Sequence, residues 1–190
     1  GSGKTTTLYA ILKKIQSTEI KIITIEDPIE YHLKGISQSQ VNPKKGYNFS
    51  TGLEAIVRQD PDVILVGEIR DLETATIALQ ASLTGHLVLT TLHTNDATGT
   101  IVRLMALGEK PANIAPAINL AIGQRLVRKL CPTCKQLKLA TKEELSLIKK
   151  EMHNLQEVKE NIKIAKAQGC VECDNTGHKG RIGIFEFFKV

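Results

Sequence analysis

The sequence opens on Gly1-Ser2-Gly3-Lys4-Thr5-Thr6, and this stretch decides the fold. It matches the second half of the P-loop pattern G-x-x-x-x-G-K-[ST]. In such a loop the backbone N–H groups surround the phosphates of a nucleotide, the lysine reaches the β- and γ-phosphates, and the hydroxyl that follows binds Mg²⁺. We therefore predict ATP and Mg²⁺ as ligands of residues 1–6. Because the first glycine of the pattern would precede Gly1, we expect the chain to be a fragment of a longer protein.

A helix is predicted directly after this loop. Four apolar residues recur at the i, i+3, i+4 and i+7 spacing of an amphipathic helix: Leu8, Ile11, Leu12 and Ile15. Gly-Ser-Gly before a basic residue also occurs in flexible linkers, but a linker does not continue into such a helix. The N-terminus of the helix would also favour a bound phosphate. The pattern thus indicates a nucleotide-binding loop.

Composition narrows the class of protein. The chain has 190 residues, of which 42% are hydrophobic, enough for one domain with a small appendage. The net charge of +5 is spread along the chain and aromatic residues make up only 4%, so no nucleic-acid partner is expected. No apolar run reaches the roughly 18–20 residues that span a bilayer. Four cysteines in two Cys-x-x-Cys pairs point to a reducing cytoplasm and to a metal rather than to disulfides.

Acidic residues follow two predicted strands. Residues 20–25, IKIITI, predict a strand, and the acidic segment 26–30 follows it on a loop. Residues 63–66, VILV, predict a strand buried on both faces, and Glu68 follows where a Walker B motif ends, with a glycine in place of the usual acid. Ligands of open parallel sheets bind at the carboxyl ends of the strands. This position favours a functional role for Glu30 and Glu68 over a solvated acidic turn.

Several other stretches are assigned from their patterns. Residues 35–49 suit a short exposed hairpin without chemistry, and Ser50 or Thr51 is predicted to cap the next helix. Residues 72–83 predict a helix, and residues 111–130 predict a further helical stretch. The alternation of strand and helix through residue 125 predicts a parallel α/β sheet.

Two histidines, His86 and His93, bracket the predicted strand 87–92. A single histidine beside a strand is usually an ordinary surface or core residue. The occurrence of two in one strand–loop unit near Glu68 favours a role in sensing the γ-phosphate. Because they are seven residues apart, a strand would point them to opposite faces, so they cannot share one role.

The cysteine pairs predict a zinc site with four ligands, Cys131, Cys134, Cys170 and Cys173. Four thiolates at this spacing suit tetrahedral Zn²⁺. A redox function is the alternative, but it needs only one pair, and neither pair opens a helix after a strand. Between the pairs, residues 141–166 predict a charged helix with four apolar residues on one face: Leu145, Ile148, Met152 and Leu155.

Six stretches, in order, resemble one family. They are GSGKTTTLYA (1–10), IEDPIEY (25–31), RQDPDVILVGEIRDLETA (58–75), TGHLVLTTLHTNDA (84–97), QRLVRKLCPTCK (124–135) and GCVECDNTGHKGRIGIFE (169–186). Together they resemble the bacterial ATPases of type II secretion and type IV pilus assembly. The four cysteines are typical of these branches rather than of the retraction motors.

This resemblance implies a homo-hexameric motor on the cytoplasmic face of the inner membrane, which hydrolyses ATP to assemble pilin-like subunits through an inner-membrane platform protein. Its association with the membrane would be peripheral. The resemblance also implies that Glu30 helps to activate water, that Glu68 serves Mg²⁺ and catalysis, and that His86 and His93 sense the nucleotide. The family carries an N-terminal domain over the nucleotide, so we expect this stretch alone to bind ATP weakly.

The resulting domain prediction is a RecA-like ATPase core over residues 1–125, truncated inside the P-loop, and a Cys₄ zinc-binding subdomain with a helical insert over residues 126–190. Two other functions stay open at this point. One is a degenerate P-loop scaffold with the zinc unit as a binding module, against which Lys4, Glu30 and Glu68 argue. The other is a translocase for DNA uptake, which the low aromatic content disfavours.

Overall fold

The computed structural model describes residues 1–152 and 161–190. The chain forms two compact units, one of residues 1–125 with 184–190 and one of residues 126–183. In order, the helices are α1 (Lys4–Ile15), α2 (Phe49–Val57), α3 (Leu72–Leu83), α4 (Gly99–Leu107), α5 (Pro111–Ala117) and α6 (Lys142–Glu151). The strands are β1 (Ile22–Glu26), β2 (Ser37–Gln40), β3 (Val63–Val66), β4 (Leu87–Thr90), β5 (Leu120–Leu130), β6 (Gln136–Leu139), β7 (Lys163–Lys166) and β8 (His178–Lys189).

A four-stranded parallel sheet forms the centre of the first unit. Its strands lie in the order β2-β1-β3-β4, with Ile64 of β3 opposite Ile23 of β1 and Val88 of β4. All four carboxyl ends therefore meet at one edge of the sheet. The predicted α/β fold with a parallel sheet is confirmed.

Helices cover both faces of this sheet. Val63 and Leu65 of β3 pack with Tyr9 and Leu12 of α1 in one apolar cluster. The alternate residues of β3 pack in a second cluster, which includes residues from α2, α3 and α5. Successive side chains of a strand point to opposite faces, so a strand covered on both sides is apolar throughout. This is why the continuous apolar run VILV correctly predicted a strand buried on both faces.

The prediction of a short exposed hairpin over residues 35–49 is only partly correct: an antiparallel bridge joins Asn42 and Tyr47, but residues 37–40 form strand β2 of the central sheet. β2 instead pairs in parallel with β1, at the edge of the sheet. A tight 3₁₀ turn, Pro43–Lys45, follows, and it ends at Gly46 in the left-handed region (φ 72°). Local alternation indicates a strand but cannot tell which strand will be its partner.

The predicted cap of α2 is wrong. Asn48 is the N-cap: its side chain accepts a hydrogen bond from the Thr51 N–H (2.9 Å), and the Thr51 hydroxyl accepts one from the Asn48 N–H (3.1 Å). This reciprocal capping box has a threonine where glutamate or glutamine is usual. The helix therefore begins before the two residues that were predicted to cap it.

Residues 111–130 do not form one helical stretch. α5 contains Pro116 and ends at Ala117, and β5 then runs from Leu120 to Leu130. β5 forms a two-stranded sheet with β8. Its partner lies some fifty residues further along the chain, so nothing local to residues 120–130 revealed the pairing.

The boundary between the two units falls within β5 and β8. The final residues 184–190 belong to the first unit, because the carboxyl end of β8 returns to it. The predicted division instead placed these residues in the second unit.

The second unit contains the insert. β6 and β7 pair in an antiparallel hairpin-like arrangement, and α6 begins with a capping box between Thr141 and Glu144. The helix predicted for residues 141–166 is therefore only partly correct: α6 ends at Glu151, and β7 occupies residues 163–166. Leu155, predicted on its apolar face, lies outside the described residues. No helix in the described ranges is long and apolar enough to cross a membrane.

Candidate nucleotide site and tetracysteine cluster

The P-loop residues form the N-terminus of α1. Gly3 is in the left-handed region (φ 85°), and the first hydrogen bond of the helix runs from the Thr7 N–H to the Gly3 carbonyl (3.0 Å). The N–H groups of residues 3–6 therefore have no acceptor inside the helix and point out from its end. Such an N-terminus attracts anions through its N–H groups and its dipole.

Gln124 of β5 is hydrogen-bonded to residues on both sides of this turn, a contact that the sequence did not predict. Its side-chain oxygen accepts a hydrogen bond from the Thr7 hydroxyl (2.9 Å), and its side-chain nitrogen donates one to the Ser2 carbonyl (2.9 Å). The next residue, Arg125, donates to the Asn95 carbonyl (2.8 Å) in the loop after β4. No local pattern marks Gln124, because its partners are more than a hundred residues away.

A cavity of about 210 Å³ opens beside the P-loop at the carboxyl edge of the sheet. Among the residues that line it are Lys4, Thr5, Asp27, Glu30, Glu68 and His93. The structure thus brings together P-loop residues, both predicted carboxylates and one of the two predicted histidines. They come from four segments that end at the same edge: the start of α1 and the loops after β1, β3 and β4.

Glu68 is hydrogen-bonded to two basic side chains. The Arg70 guanidinium donates to one carboxylate oxygen, and His93 Nε2 lies 3.3 Å from the other. The Arg70 hydrogen bond lowers the pKa of Glu68 more than burial raises it, and His93 lowers this pKa further. Glu68 is therefore an ionised carboxylate at neutral pH, with its side chain only 13% exposed.

Gly67 explains the missing Walker B acid. A Cβ atom at this position would lie 3.3 Å from the Glu26 Cα and 3.3 Å from the Ile25 carbonyl oxygen. Both are backbone atoms of β1, which cannot move aside as a flexible side chain can. The backbone of this turn is also tied to the neighbouring loop, because the Thr91 hydroxyl donates to the Gly67 carbonyl (2.8 Å). At this close approach of β1 and β3, any side chain at position 67 would require the β1 backbone to shift by a few tenths of an ångström.

Glu26 was expected on a loop, and this is wrong. It is the last residue of β1 and is 3% exposed. Its carboxylate accepts hydrogen bonds from three side chains, those of Tyr9, Thr24 and Gln38. The strand begins and ends later than the apolar run suggested, so the acid that looked like part of the loop is instead buried at the end of β1, where it contributes to the lining of the cavity.

His86 lies apart from this site. It precedes β4 at the amino end of the strand, where its Nδ1 is 2.9 Å from the Ala81 carbonyl at the end of α3. His93 follows β4 at the carboxyl end. The two histidines thus lie at opposite ends of one strand, and only His93 contacts Glu68.

The four cysteines of the second unit converge on one point. Their Sγ atoms all lie within 4.8 Å of one another, and all four are free thiols. Three of the separations are 4.0 Å (Cys131 to Cys170), 3.8 Å (Cys134 to Cys173) and 3.7 Å (Cys170 to Cys173). A tetrahedron with Zn–S bonds of about 2.3 Å has edges of about 3.8 Å. The cluster therefore has the dimensions of a Cys₄ zinc site.

Backbone N–H groups also point at the cluster. The N–H groups of Cys170 and Gly177 each donate to the Cys173 sulfur, at 3.3 Å. Burial would raise the pKa of the Cys131 thiol, but hydrogen bonds from the backbone of Cys134 and Thr133 bring it down to about 6. Such N–H donors stabilise thiolates, which are the form that binds a metal.

These features define a class of protein. A glycine-lysine-threonine turn at a helix N-terminus, acids at the carboxyl edge of a parallel sheet and strands covered by helices on both faces form a P-loop NTPase core. Residues 1–190, the whole chain, match the family model described as "Type II/IV secretion system protein". The chain belongs to this family, as its motifs predicted.

Its relatives include named ATPases. The type II secretion system ATPase E of Vibrio cholerae is 51% identical over 190 residues, which are 100% of this chain and 37% of that protein. The type IV pilus assembly ATPase PilB of Pseudomonas aeruginosa is 48% identical over an alignment of 191 positions, which covers 100% of this chain and 32% of that protein. The chain thus spans about a third of the length of these relatives.

A solved structure shares the fold. The crystal structure of the pilus retraction motor PilT with bound ADP matches with a TM-score of 0.61 and 42% identity, covering 70% of this chain and 41% of that chain.

Proposed function

We propose that this chain carries the ATP-hydrolysing site of a motor that drives the assembly of type II secretion pseudopili or type IV pili. One observation supports this most directly: Lys4, Thr5, Glu30 and Glu68 line the same cavity although they come from separate segments. In a P-loop that no longer binds or hydrolyses a nucleotide, nothing would require these four side chains to line one cavity. The names of the relatives, an ATPase of type II secretion and one of pilus assembly, supply the process.

In this proposal the P-loop binds the phosphates of ATP. The N–H groups of residues 3–6 and the Lys4 ammonium contact the phosphate oxygens, and the Thr5 hydroxyl is a ligand of Mg²⁺. The residues fit such a substrate, because the N–H groups point out from α1 beside an open cavity. Bound Mg²⁺ would neutralise the charge that develops on the phosphates.

The carboxylates divide the remaining work. Glu30 would orient and activate the attacking water, and Glu68, which is ionised, would help to hold Mg²⁺ when the ion is bound. His93, which contacts Glu68, would respond to the γ-phosphate through this contact. His86 has no part in this scheme, since its ring bonds the end of α3 at the other end of β4.

The cysteine cluster is proposed to hold a structural Zn²⁺. Cys131, Cys134, Cys170 and Cys173 fit the ion by their separations, their free thiols and the N–H donors around them. Four thiolates leave no open position for a substrate, so the ion would supply folding energy and no catalysis.

The motor is proposed to work as a homo-hexamer at the cytoplasmic face of the inner membrane, where an inner-membrane platform protein of the pilus or secretion system would be its partner. Association with the membrane would be peripheral, through that partner, and no nucleic-acid partner is proposed. The family and the names of its relatives support a place in a secretion or pilus system, and the hexamer and its partner are what the resemblance of the motifs implies.

The test is phosphate release by the full-length protein that contains this chain. Glu30→Gln should lower kcat by about 10²-fold or more while ATP still binds, since an acid–base group of this kind contributes about 10²–10⁴-fold. Glu54→Gln, the same change at an exposed position of α2, is the matched control. In cells that lack the gene for this protein, a gene that encodes the Glu30→Gln variant should fail to restore secretion or surface pili. Wild-type turnover by Glu30→Gln would contradict the assigned role.

A further inference from the structure

A buried carboxylate, Glu26, ends the strand before the loop that carries Glu30 and contributes to the lining of the same cavity. Glu26 is 3% exposed, and within the described residues no lysine, arginine or histidine forms an ion pair with it. Hydroxyl and amide donors solvate it instead: the Tyr9 hydroxyl, the Thr24 hydroxyl at 2.5 Å and the Gln38 side-chain nitrogen at 3.1 Å. Burying a carboxylate is unfavourable unless such bonds are made. An apolar residue would pack here without this requirement, so the carboxylate points to a role other than stability.

Tyr9 connects this carboxylate to the P-loop helix. It lies on α1, about one and a half turns beyond Lys4, and is fully buried. Burial and the Glu26 carboxylate raise the pKa of Tyr9, against smaller effects of the Glu30 backbone and Gln38, so its hydroxyl remains a donor at any working pH. Its ring also packs edge-on against Tyr31, with ring centroids 4.7 Å apart. Tyr9 therefore contacts both the strand before the acidic loop and the loop itself.

Gln38 closes the loop from the other side. Its side-chain oxygen accepts a hydrogen bond from the Leu33 N–H (2.6 Å), while its nitrogen donates to Glu26. A single side chain on β2 thus joins the two ends of the loop. The neighbouring Gln40 accepts from the Ile29 N–H (3.2 Å) inside the same loop. Glu30 lies between these fixed points.

We propose that Tyr9, Glu26 and Gln38 are positioning residues for Glu30. They attach the acidic loop to the P-loop helix and to β2, so that the Glu30 carboxylate stays in the cavity with Lys4. The Glu26 carboxylate is required because it accepts from both Tyr9 and Gln38 at once. The consequence for turnover rests on the proposed function, but the consequence for the order of the loop does not.

The first experiment measures the loop itself. In the full-length protein, Gln38→Leu should raise the rate of amide hydrogen exchange in residues 27–35 about tenfold, because the Leu33 N–H and the Glu26 carboxylate each lose a hydrogen bond. Gln136→Leu, the same change at an exposed position of β6, should leave this rate unchanged. An unchanged exchange rate in Gln38→Leu would overturn the proposal that Gln38 holds the loop.

The second experiment asks whether the network acts through Glu30. Tyr9→Phe, which removes one hydroxyl and keeps the ring, should lower kcat about tenfold and change the KM for ATP less than twofold, because Lys4 and the P-loop are untouched. In a Glu30→Gln background, Tyr9→Phe should lower the residual kcat no further. A merely structural role would instead lower kcat by the same factor in both backgrounds, and that result would overturn the inference.

The two experiments separate this inference from the proposed function. If Glu30→Gln alone keeps full turnover, then the role proposed for Glu30 is wrong. The claim that the network affects turnover through Glu30 would then be wrong as well. The exchange rates would still decide whether the network orders the loop.

Discussion

The contacts of Gln124 lead to a quantitative prediction about nucleotide affinity. The side chain makes two hydrogen bonds of 2.9 Å, to the Thr7 hydroxyl and to the Ser2 carbonyl, on either side of the phosphate-binding turn. Each bond between neutral, partly buried groups contributes about 1 kcal/mol. Gln124→Leu removes both bonds, and Thr7→Val removes one.

If the bonds order the turn before the nucleotide arrives, their loss appears in binding. Gln124→Leu should then weaken ADP binding by up to about 30-fold, which corresponds to about 2 kcal/mol, and Thr7→Val by about fivefold. Because Thr7→Val removes a bond that Gln124→Leu already lacks, the double variant should bind ADP no more weakly than Gln124→Leu alone.

The assay is titration of the full-length protein with a fluorescent ADP, with Gln136→Leu as the control for a Gln→Leu change at an exposed site. Thermal unfolding of each variant shows whether it is folded at the temperature of the titration. Additive effects of the two substitutions would refute the shared bond. An unchanged Kd in folded Gln124→Leu would refute the argument that this side chain prepares the P-loop.

Four further predictions follow from the site and the cluster. Lys4→Ala should lose most ATP affinity and turnover, because the ammonium is the main side-chain cation proposed for the phosphates; ATP affinity at the wild-type level would contradict this. Glu68→Gln should keep nucleotide binding and lower kcat about 10²-fold or more, and a parallel loss of binding and turnover would show instead that Glu68 is structural. Metal analysis of protein never exposed to chelator should find about one zinc per chain. Cys131→Ser or Cys173→Ser should release this zinc and make residues 126–183 more susceptible to proteolysis. Absence of zinc from the wild type, or a disulfide between two of the cysteines, would contradict the zinc site. Gly67→Ala should lower the free energy of unfolding by about 1–3 kcal/mol, because the alanine Cβ would press on the β1 backbone. Denaturant unfolding measures this change. A midpoint equal to that of the wild type would show that the backbone adjusts without cost.

The carboxylates show how far sequence reasoning reached in the site. Glu30 and Glu68 were predicted at the carboxyl edge of the sheet, and both line the cavity. The burial of Glu26 was not predicted, because it depends on donors from α1 and β2 that no local pattern connects to it. The histidines divide in the same way: both looked alike in sequence, but one contacts Glu68 and the other bonds a helix end.

The misassigned elements have a common cause. β2 was read as part of a hairpin and β5 as part of a helix, and both are strands whose identity depends on a partner. A parallel edge strand with glutamines at alternate positions has little apolar signal of its own. β5 pairs with β8, which begins some fifty residues after β5 ends, so a short window around residues 120–130 contains only one half of the interaction.

The sequence by itself determined the P-loop, the buried strand β3, the helices α1 and α3 and the four cysteines that meet in the second unit. These features depend on spacing within about ten residues, or on a side-chain chemistry that has few uses. Only the tertiary structure decided the strand order, the close packing of Gly67 against β1, the burial of Glu26 and the bonds of Gln124, whose partners lie 117 and 122 residues away. The physical reason is that such contacts form only when distant segments pack together, and the shape of that packing is a property of the whole unit.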